Sequence, residues 1–270
     1  PGVDPEFLGW LFEESGDMAR SRAFLTQAAG RAFETLAFER AARLCEKALK
    51  LGGLSKGESH ILNVQLGEAL TNVGEGLKAA DAYLTAALAA DPEKRLDLRR
   101  RAAQQLFSCG HFARGRSVIS QVAKEFNLFL PTYSKWELIK LLGRRLKLWM
   151  VLKRFTVPIG IVEEERIRVE TCWVIASSLV VADSMTCFDF ITRLQLYANK
   201  SGHLRYFALG LLLDSWFQSV RGHHELGTAR RKRALELAVL VQDPYLDGFG
   251  KICLAFGNYY HGRWRASIEV

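Results

Sequence analysis

Residues 66–91 arrange large and small side chains in an order that constrains the fold more than any other feature of the chain. Leu70 and Tyr83 occupy large positions, whereas Gly67 and Ala79 occupy small ones. Small residues at facing positions allow two antiparallel helices to approach closely, and Gly74, between the two halves, suits a turn of positive φ. Because the residue before a proline avoids the α conformation, the dipeptide at 91–92 ends the second helix. The segment therefore predicts a helix-turn-helix unit.

The same order resembles the tetratricopeptide (TPR) repeat, and weaker copies of it recur along the chain. These copies start near Leu8, Ala32, Ala102, Gly222 and Leu254. The turn positions Gly74 and Gly110 lie 36 residues apart, close to the TPR period of about 34 residues. Alternation typical of β-strands is nowhere sustained. The resemblance implies an all-α fold, a right-handed α-solenoid of TPR-like helix-turn-helix repeats.

The repeat order fails in the middle of the chain, where basic residues are concentrated. We predict N-terminal TPR-like repeats over residues 1–126, a basic amphipathic connecting segment over 127–165, and C-terminal TPR-like repeats over 166–270. The chain begins with Pro1 and ends at Val270 inside a helical pattern. We therefore expect it to be a piece of a longer protein, with its last repeat truncated.

The composition is that of a globular chain. Hydrophobic residues make up 49% and charged residues 24%, and the net charge of +8 permits anionic partners without requiring them. Five cysteines without a CxxC pair argue against a disulfide scaffold and favour a reducing, cytoplasmic location. The longest uncharged apolar stretch, residues 172–182, falls well short of the ~20 residues that span a bilayer.

Residues 7–50 carry a second resemblance. Its motifs are EESGD at 13–17, AA at 28–29 and FERAARL at 38–44, and Cys172, Trp173 and Asp183 are similar to a later part of the same pattern. This pattern is similar to the helical region that follows the nucleotide-binding module in bacterial signalling ATPases of the STAND class, especially those fused to a Ser/Thr protein kinase. The resemblance implies a sensor or scaffold that regulates upstream ATPase and kinase domains in signal transduction.

Catalytic motifs of the expected kinds are missing from the sequence. It contains no G-x-x-x-x-G-K-[ST] phosphate loop, no kinase catalytic loop and no Asp-Phe-Gly motif. His111, His223 and His224 lack the i, i+4 spacing of a helical zinc site and are expected in turns. The core is expected to hold Cys45, Cys172, Cys187 and Cys253, and the acidic run at 163–165 is expected to start a solvated helix. We therefore expect no catalytic residue, no metal and no cofactor.

Residues 135–154 contain seven basic residues and a single acidic one, Glu137. At ~100° per residue, one helical arc collects Leu138, Leu142, Leu146, Trp149 and Leu152. The opposite arc collects Lys140, Arg144 and Lys147, whereas Arg145 falls within the apolar arc and must snorkel or pair. We predict that the leucine face packs onto the array while the lysines face water. A membrane-surface tether and a contact with a partner helix are the alternatives.

Candidate binding residues for a partner or an anionic surface are therefore Lys140, Arg144 and Lys147. Helix phase adds candidates for the concave face of the array: Asn63, Glu68 and Asn72. The basic run at 230–233 is expected to be a solvated helix face, because consecutive residues point around a helix.

These features together predict a non-catalytic scaffold that binds a protein or peptide, including a second copy or the ATPase and kinase domains, and no specific nucleic acid. A small-molecule effector-binding solenoid is the alternative. An enclosed apolar pocket would favour the effector, whereas an open polar groove would favour the peptide.

Overall fold

The computed structural model describes residues 3–131, 134–154, 160–180 and 182–270. Within these ranges all regular structure is helical, with 14 α-helices, one short 3-10 helix and no strand. The all-α prediction is confirmed. The chain divides into two compact units, Pro1–Val122 and Ala123–Val270. The three predicted segments stay predictions, and residues 132–133 and 155–159 of the predicted connecting segment lie outside the described part.

Helices of the first unit pack in sequence order. They are α1 (Pro5–Glu14), α2 (Met18–Glu34), α3 (Phe38–Lys50), α4 (Lys56–Val73), α5 (Gly76–Ala87) and α6 (Pro92–Ser108). Each of them contacts the next, from α1 through to α6. Helix α7 (Phe112–Glu125) continues across the boundary into the second unit. Many of the buried positions are small, including Ala41, Ala69, Ala79 and Ala102, so neighbouring helices lie close together.

The second unit follows the same plan, and four of its helices have 17 or 18 residues. Its helices are α8 (Lys135–Lys153), α9 (Arg166–Ser178), α10 (Ser184–Ser201), α11 (Leu204–Val220), α12 (His224–Val241), α13 (Pro244–Tyr260) and α14 (Trp264–Ile268). From α9 to α14 each helix contacts the next, α11 also contacts α9 and α13, and α8 packs on α10. Packing of each helix on its sequence neighbour is consistent with a helical repeat array in each unit.

One backbone turn recurs between consecutive helices. A residue of positive φ ends the first helix, as at Gly16, Gly110 and Gly202. The N–H of the following residue then donates to the carbonyl five residues earlier, for example from His111 to Leu106 at 2.8 Å. This is the Schellman arrangement, and it satisfies carbonyls that a helix end leaves without partners. The predicted turn positions Gly74 and Gly110 are confirmed.

The interval between these turns distinguishes the second unit from a standard TPR array. Gly202, Gly222, Gln242 and Gly262 all have positive φ and follow one another every 20 residues. Helices α10 to α13 are accordingly 17 or 18 residues long. A helix pair therefore repeats after 40 residues, compared with about 34 in the TPR pattern.

Gly67 shows why small residues are needed where α4 meets α5. A Cβ atom added at Gly67 would lie 2.7 Å from the ring of Tyr83, and that ring is buried among alanines of α5. Gly57, at the start of the same helix, has no heavy atom within 4 Å of such a Cβ. The two glycines thus share one helix, Gly57 in its first turn and Gly67 in its interior, and they differ in packing.

We expect Gly67→Ala to destabilise the protein and Gly57→Ala to stabilise it. An added methyl at a filled position costs about 1–3 kcal/mol, whereas alanine in place of glycine inside a helix gains about 0.5–1 kcal/mol. Urea unfolding of both variants beside the parent measures the two effects. A Gly67→Ala variant at least as stable as the parent would contradict close α4–α5 packing at Tyr83.

Candidate functional site

Helix α8 is positioned by its cap and by two buried leucines. Ser134 Oγ accepts the N–H of Glu137 at 3.3 Å and starts the helix. Leu141 and Leu148 are buried, and the helix packs on α10. These two leucines are seven residues apart, so they mark one line along the helix that faces the unit.

Arg144 lies beside that line and pairs with a buried carboxylate of α10. Its Nε donates to Asp189 Oδ1 at 2.8 Å, and Asp189 is only 2% exposed. Arg193, one turn further along α10, brings its Nη2 to 2.8 Å from the other oxygen of Asp189. Two guanidinium groups therefore surround one carboxylate that water scarcely reaches.

Arg145 makes the equivalent contact with α11. Its Nη2 lies 3.0 Å from Oδ1 of Asp214, a residue with no exposed surface. Arg230 of α12 approaches the other oxygen to 3.3 Å, and Gln218 donates to Oδ1 at 3.2 Å. The Arg145 guanidinium also lies over the ring of Phe188, 4.4 Å from its centroid. Asp214 thus joins α8, α11 and α12.

Helix α8 is rotated by about a quarter turn from the predicted orientation. The leucine face does not pack on the array, because Leu138, Leu142, Leu146 and Trp149 are all exposed. Of the predicted binding residues, Lys140 and Lys147 are exposed, and Lys140 contacts Glu137 at 3.1 Å. The helical pattern predicted that Arg144 faces water, and this prediction is wrong, because Arg144 is half-buried against Asp189. The expectation that Arg145 must pair is confirmed.

The three candidates on α4 do not form a polar surface patch. Asn63 is buried and donates to the carbonyl of Ser59 at 2.8 Å, so its side chain is taken up within its own helix. Glu68 is half-buried and lies 3.0 Å from Arg101 of α6. Asn72 is exposed, and its amide donates to the carbonyl of Glu68 at 2.8 Å. Only Asn72 of the three is exposed in the part of the chain described.

The basic run at 230–233 is divided between different partners. Arg230 turns inward to Asp214, and Arg233 lies 3.1 Å from Glu236. Lys232 is exposed. The predicted solvated face is therefore wrong for Arg230, which is an internal ion-pair partner, whereas Lys232 faces water as predicted.

A groove lined by aromatic side chains lies across α9, α11 and α13. Its volume is about 150 Å³. It is lined by Ser177, Val180, Leu213, Trp216, Phe249, Ile252, Cys253, Phe256 and Tyr260. Trp216 meets Phe256 at 6.5 Å and Tyr260 at 6.3 Å between ring centroids, in tilted or edge-on arrangements. Because Ile252, Phe256 and Tyr260 are more than half exposed, the groove is open to solvent.

Trp216 contributes its indole ring to this groove. Its Nε1 atom is shielded from solvent and has no hydrogen-bond partner among the described residues. Because water reaches the groove but not this atom, the lining presents ring atoms of Trp216 and not its N–H. The arrangement can therefore accept an apolar group.

The aromatic stripe of α13 was missed in the sequence, although its spacing is visible there. Tyr245, Phe249, Ile252, Phe256 and Tyr260 follow one another at intervals of three or four residues. That spacing places all five on one face of a helix. In the folded chain, this face lines a groove instead of the core.

Polar and nucleophilic side chains elsewhere have structural explanations. His111 and His223 lie at turns, and Glu163–Glu165 forms a 3-10 helix before α9, where Glu163 and Glu165 pair with Arg166 and Arg168. No group of His, Cys, Asp or Glu suited to a metal ion occurs in the described ranges. Among the helices described, none combines the length and apolar character that crossing a bilayer requires.

The segment GLSKG at 53–57 matches the G-x-S-x-G spacing of a hydrolase nucleophile, a match that sequence inspection missed. Its structure explains the serine differently. Ser55 caps α4, accepting the N–H of Glu58 while the Glu58 carboxylate accepts the N–H of Ser55. A nucleophile elbow needs a strand before its serine, whereas α3 precedes this one.

We expect Cys109 to react with iodoacetamide before the other four cysteines. Burial raises the pKa of Cys45, Cys172 and Cys253 to about 12 and also raises that of Cys187, whereas Cys109 is exposed. The thiolate is the reactive form, so the four buried thiols need unfolding first. Mass spectrometry before and after urea locates the modified residues. Rapid native labelling of Cys45 would contradict its core placement.

Asp214→Asn is expected to destabilise the second unit by about 3 kcal/mol or more, because it leaves Arg145 and Arg230 without a countercharge. Asp247→Asn is the matched control. Its carboxylate is exposed and lies 3.3 Å from the exposed Lys251, so its loss changes stability by about 0.5 kcal/mol or less. Urea midpoints of the two variants should differ accordingly, and equal midpoints would show that the Asp214 cluster does not hold α8.

Comparison with protein-family models and with curated proteins gives no match. The resemblance to the TPR regions of STAND ATPases therefore stays a hypothesis based on residues 7–50 and 66–91.

Proposed function

We propose that this chain is a non-catalytic recognition module, and that the groove of α9, α11 and α13 binds an apolar side chain of a peptide segment. The observation that carries the proposal is the aromatic groove itself. Trp216, Phe249 and Phe256 line it, and Phe256 is 53% exposed. An apolar side chain of a peptide would cover rings that otherwise face water.

The dimensions of the groove support one anchor side chain. A volume of about 150 Å³ is that of a cavity known to take one benzene ring. Beside the groove, a second depression shares Ile252 and Phe256 with it and continues past Tyr259 to Ser267 of α14. Aromatic residues are enriched in protein interfaces, where a few of them provide most of the binding energy.

The finer fold proposal is a right-handed array of TPR-like repeats. Its support is the close approach of Gly67 to Tyr83 and the repeated Schellman turn. The 20-residue turn interval of the second unit departs from the TPR period, so the resemblance applies best to the first unit.

The resemblance to STAND ATPases supports a regulatory role for this recognition step. In such a protein the bound peptide would bias the ATPase and kinase domains between a resting and an active state. A ligand shifts such an equilibrium only by the difference between its affinities for the two states.

A small-molecule effector is the second candidate, because the groove lining is apolar, as the effector hypothesis requires. The exposure of the groove to solvent supports a peptide ligand instead. Ile252, Phe256 and Tyr260 would leave one side of a small ligand in water, whereas a peptide continues beyond the groove across Tyr259. Binding that increases with peptide length beyond the anchor residue therefore distinguishes the two.

We expect 12-residue peptides selected from a random library on this chain to lose at least tenfold in affinity on Phe256→Ala, as interface anchors do. Trp216→Phe keeps an aromatic ring in the lining and removes an N–H that does not face the groove, so it should lower affinity less than Phe256→Ala does. Calorimetry of the selected peptides measures both effects, and the indole N–H resonance that Trp216→Phe removes should shift when peptide is added to the parent.

Val239→Ala, at an exposed apolar position of α12, is the control and should leave affinity unchanged. Peptides that bind Phe256→Ala as tightly as the parent would show that the groove is not their site. Single aromatic fragments that bind as tightly as the peptides would favour the effector.

A further inference from the structure

The outward face of α8 is a continuous apolar surface. At ~100° per residue it spans an arc of about 120°, formed by Leu138, Ile139, Leu142, Leu146, Trp149 and Met150. Leu142 is 62% exposed and Leu146 is 59% exposed, at the middle of the helix. Trp136, 73% exposed, adds an indole close to the first turn. We call these seven residues the α8 apolar face.

Basic side chains surround this face. Lys135 and Lys153 stand at the two ends of the helix, within the apolar arc, and Lys140 and Lys147 follow one of its edges. All four are exposed, as is Arg154 immediately after the helix. Glu137 is the single acid of α8, and it is half-buried beside Lys140. Every exposed charge on this helix is therefore positive.

The buried ion pairs fix the orientation of α8, so this face stays exposed. Arg144 and Arg145 are held by Asp189 and Asp214 on the inner side of the helix. Rotating α8 to cover its leucines would pull both arginines away from carboxylates that have almost no contact with water. The apolar face is therefore presented on a helix with a fixed orientation.

We propose that the α8 apolar face docks on an anionic lipid surface, with the helix axis parallel to the membrane plane. The 19 residues of α8 extend about 28 Å. A helix of this kind buries its apolar side chains at the boundary between headgroups and acyl chains. Lys135 extends from the first turn toward lipid phosphates, and Trp136 and Trp149 suit the headgroup level. At the other end the Lys153 ammonium lies over the Trp149 ring, 3.8 Å from its centroid, so it brings a positive charge to the same level.

The charge distribution favours lipid over a second copy of the chain. Two copies meeting face to face would gather lysines from both around one apolar contact, without an exposed acid on either helix to pair with them. The face also offers no directional polar group that would fix one partner, and an anionic bilayer requires none. Each lysine near such a surface contributes about fivefold to the partition coefficient.

The test is sedimentation of the chain with vesicles of phosphatidylcholine containing 30% phosphatidylserine, compared with pure phosphatidylcholine. We expect binding to the anionic vesicles that weakens at high salt. Lys135→Gln with Lys147→Gln should lower the partition coefficient about 25-fold. Leu142→Ser with Leu146→Ser should lower it at least tenfold, and since both leucines are exposed the melting temperature should fall by only a few degrees, as the lower helix propensity of serine predicts.

Lys232→Gln and Val239→Ser on α12 are the matched controls, one basic and one apolar, and should change binding less than twofold.

Absence of binding to anionic vesicles at low salt would overturn the proposal, as would unchanged binding of the double serine variant. Equal binding to neutral vesicles would overturn the role of the lysines. A dimer in light scattering that the serine variant abolishes, without vesicle binding, would assign the face to contact between copies. Phe256→Ala should bind vesicles like the parent, so the result is independent of the groove.

Discussion

Two buried carboxylates determine how the second unit presents its surface. Asp189 and Asp214 lie inside the packed helices and require guanidinium groups beside them. Rotating α8 to bury Leu138, Leu142 and Leu146 would expose Leu141 and Leu148, a net gain of about one leucine, or ~1.5–3 kcal/mol. The same rotation would remove one arginine from each carboxylate, and breaking a buried pair costs about 3–5 kcal/mol. The ion pairs therefore outweigh the leucines.

The features that could be predicted from sequence depend on a residue and its near neighbours. Gly74 and Gly110 end helices because their backbone adopts positive φ, and the all-α class follows from helical periodicity. The order of large and small residues assigned Gly67 to a close helix contact, and the short distance from Gly67 to the Tyr83 ring shows that close approach. These preferences act within about one helix pair, so a short segment contains enough information.

The orientation of α8 could not be predicted, because it depends on distant residues. Arg145 and its partner Asp214 are 69 positions apart, and a helical wheel includes neither that carboxylate nor its burial. The prediction for Asn63 was wrong for a related reason, since helix phase does not show that its amide donates a hydrogen bond to the carbonyl of Ser59. The aromatic spacing of α13 is visible in the sequence, but a helix that faces the core shows the same spacing. Only tertiary packing shows whether such a stripe lines a groove or the core.

The two surfaces of the second unit differ in the kind of partner that their chemistry can select. The groove is a concave site of about 150 Å³ lined by aromatic rings, so a ligand is distinguished by whether its side chain fits that shape. The α8 apolar face combines apolar area with lysines on flexible stems, and neither contribution depends strongly on geometry. A surface of that kind suits a partner without fixed atomic positions, such as a fluid bilayer. Specific recognition therefore belongs to the groove, and attachment belongs to α8.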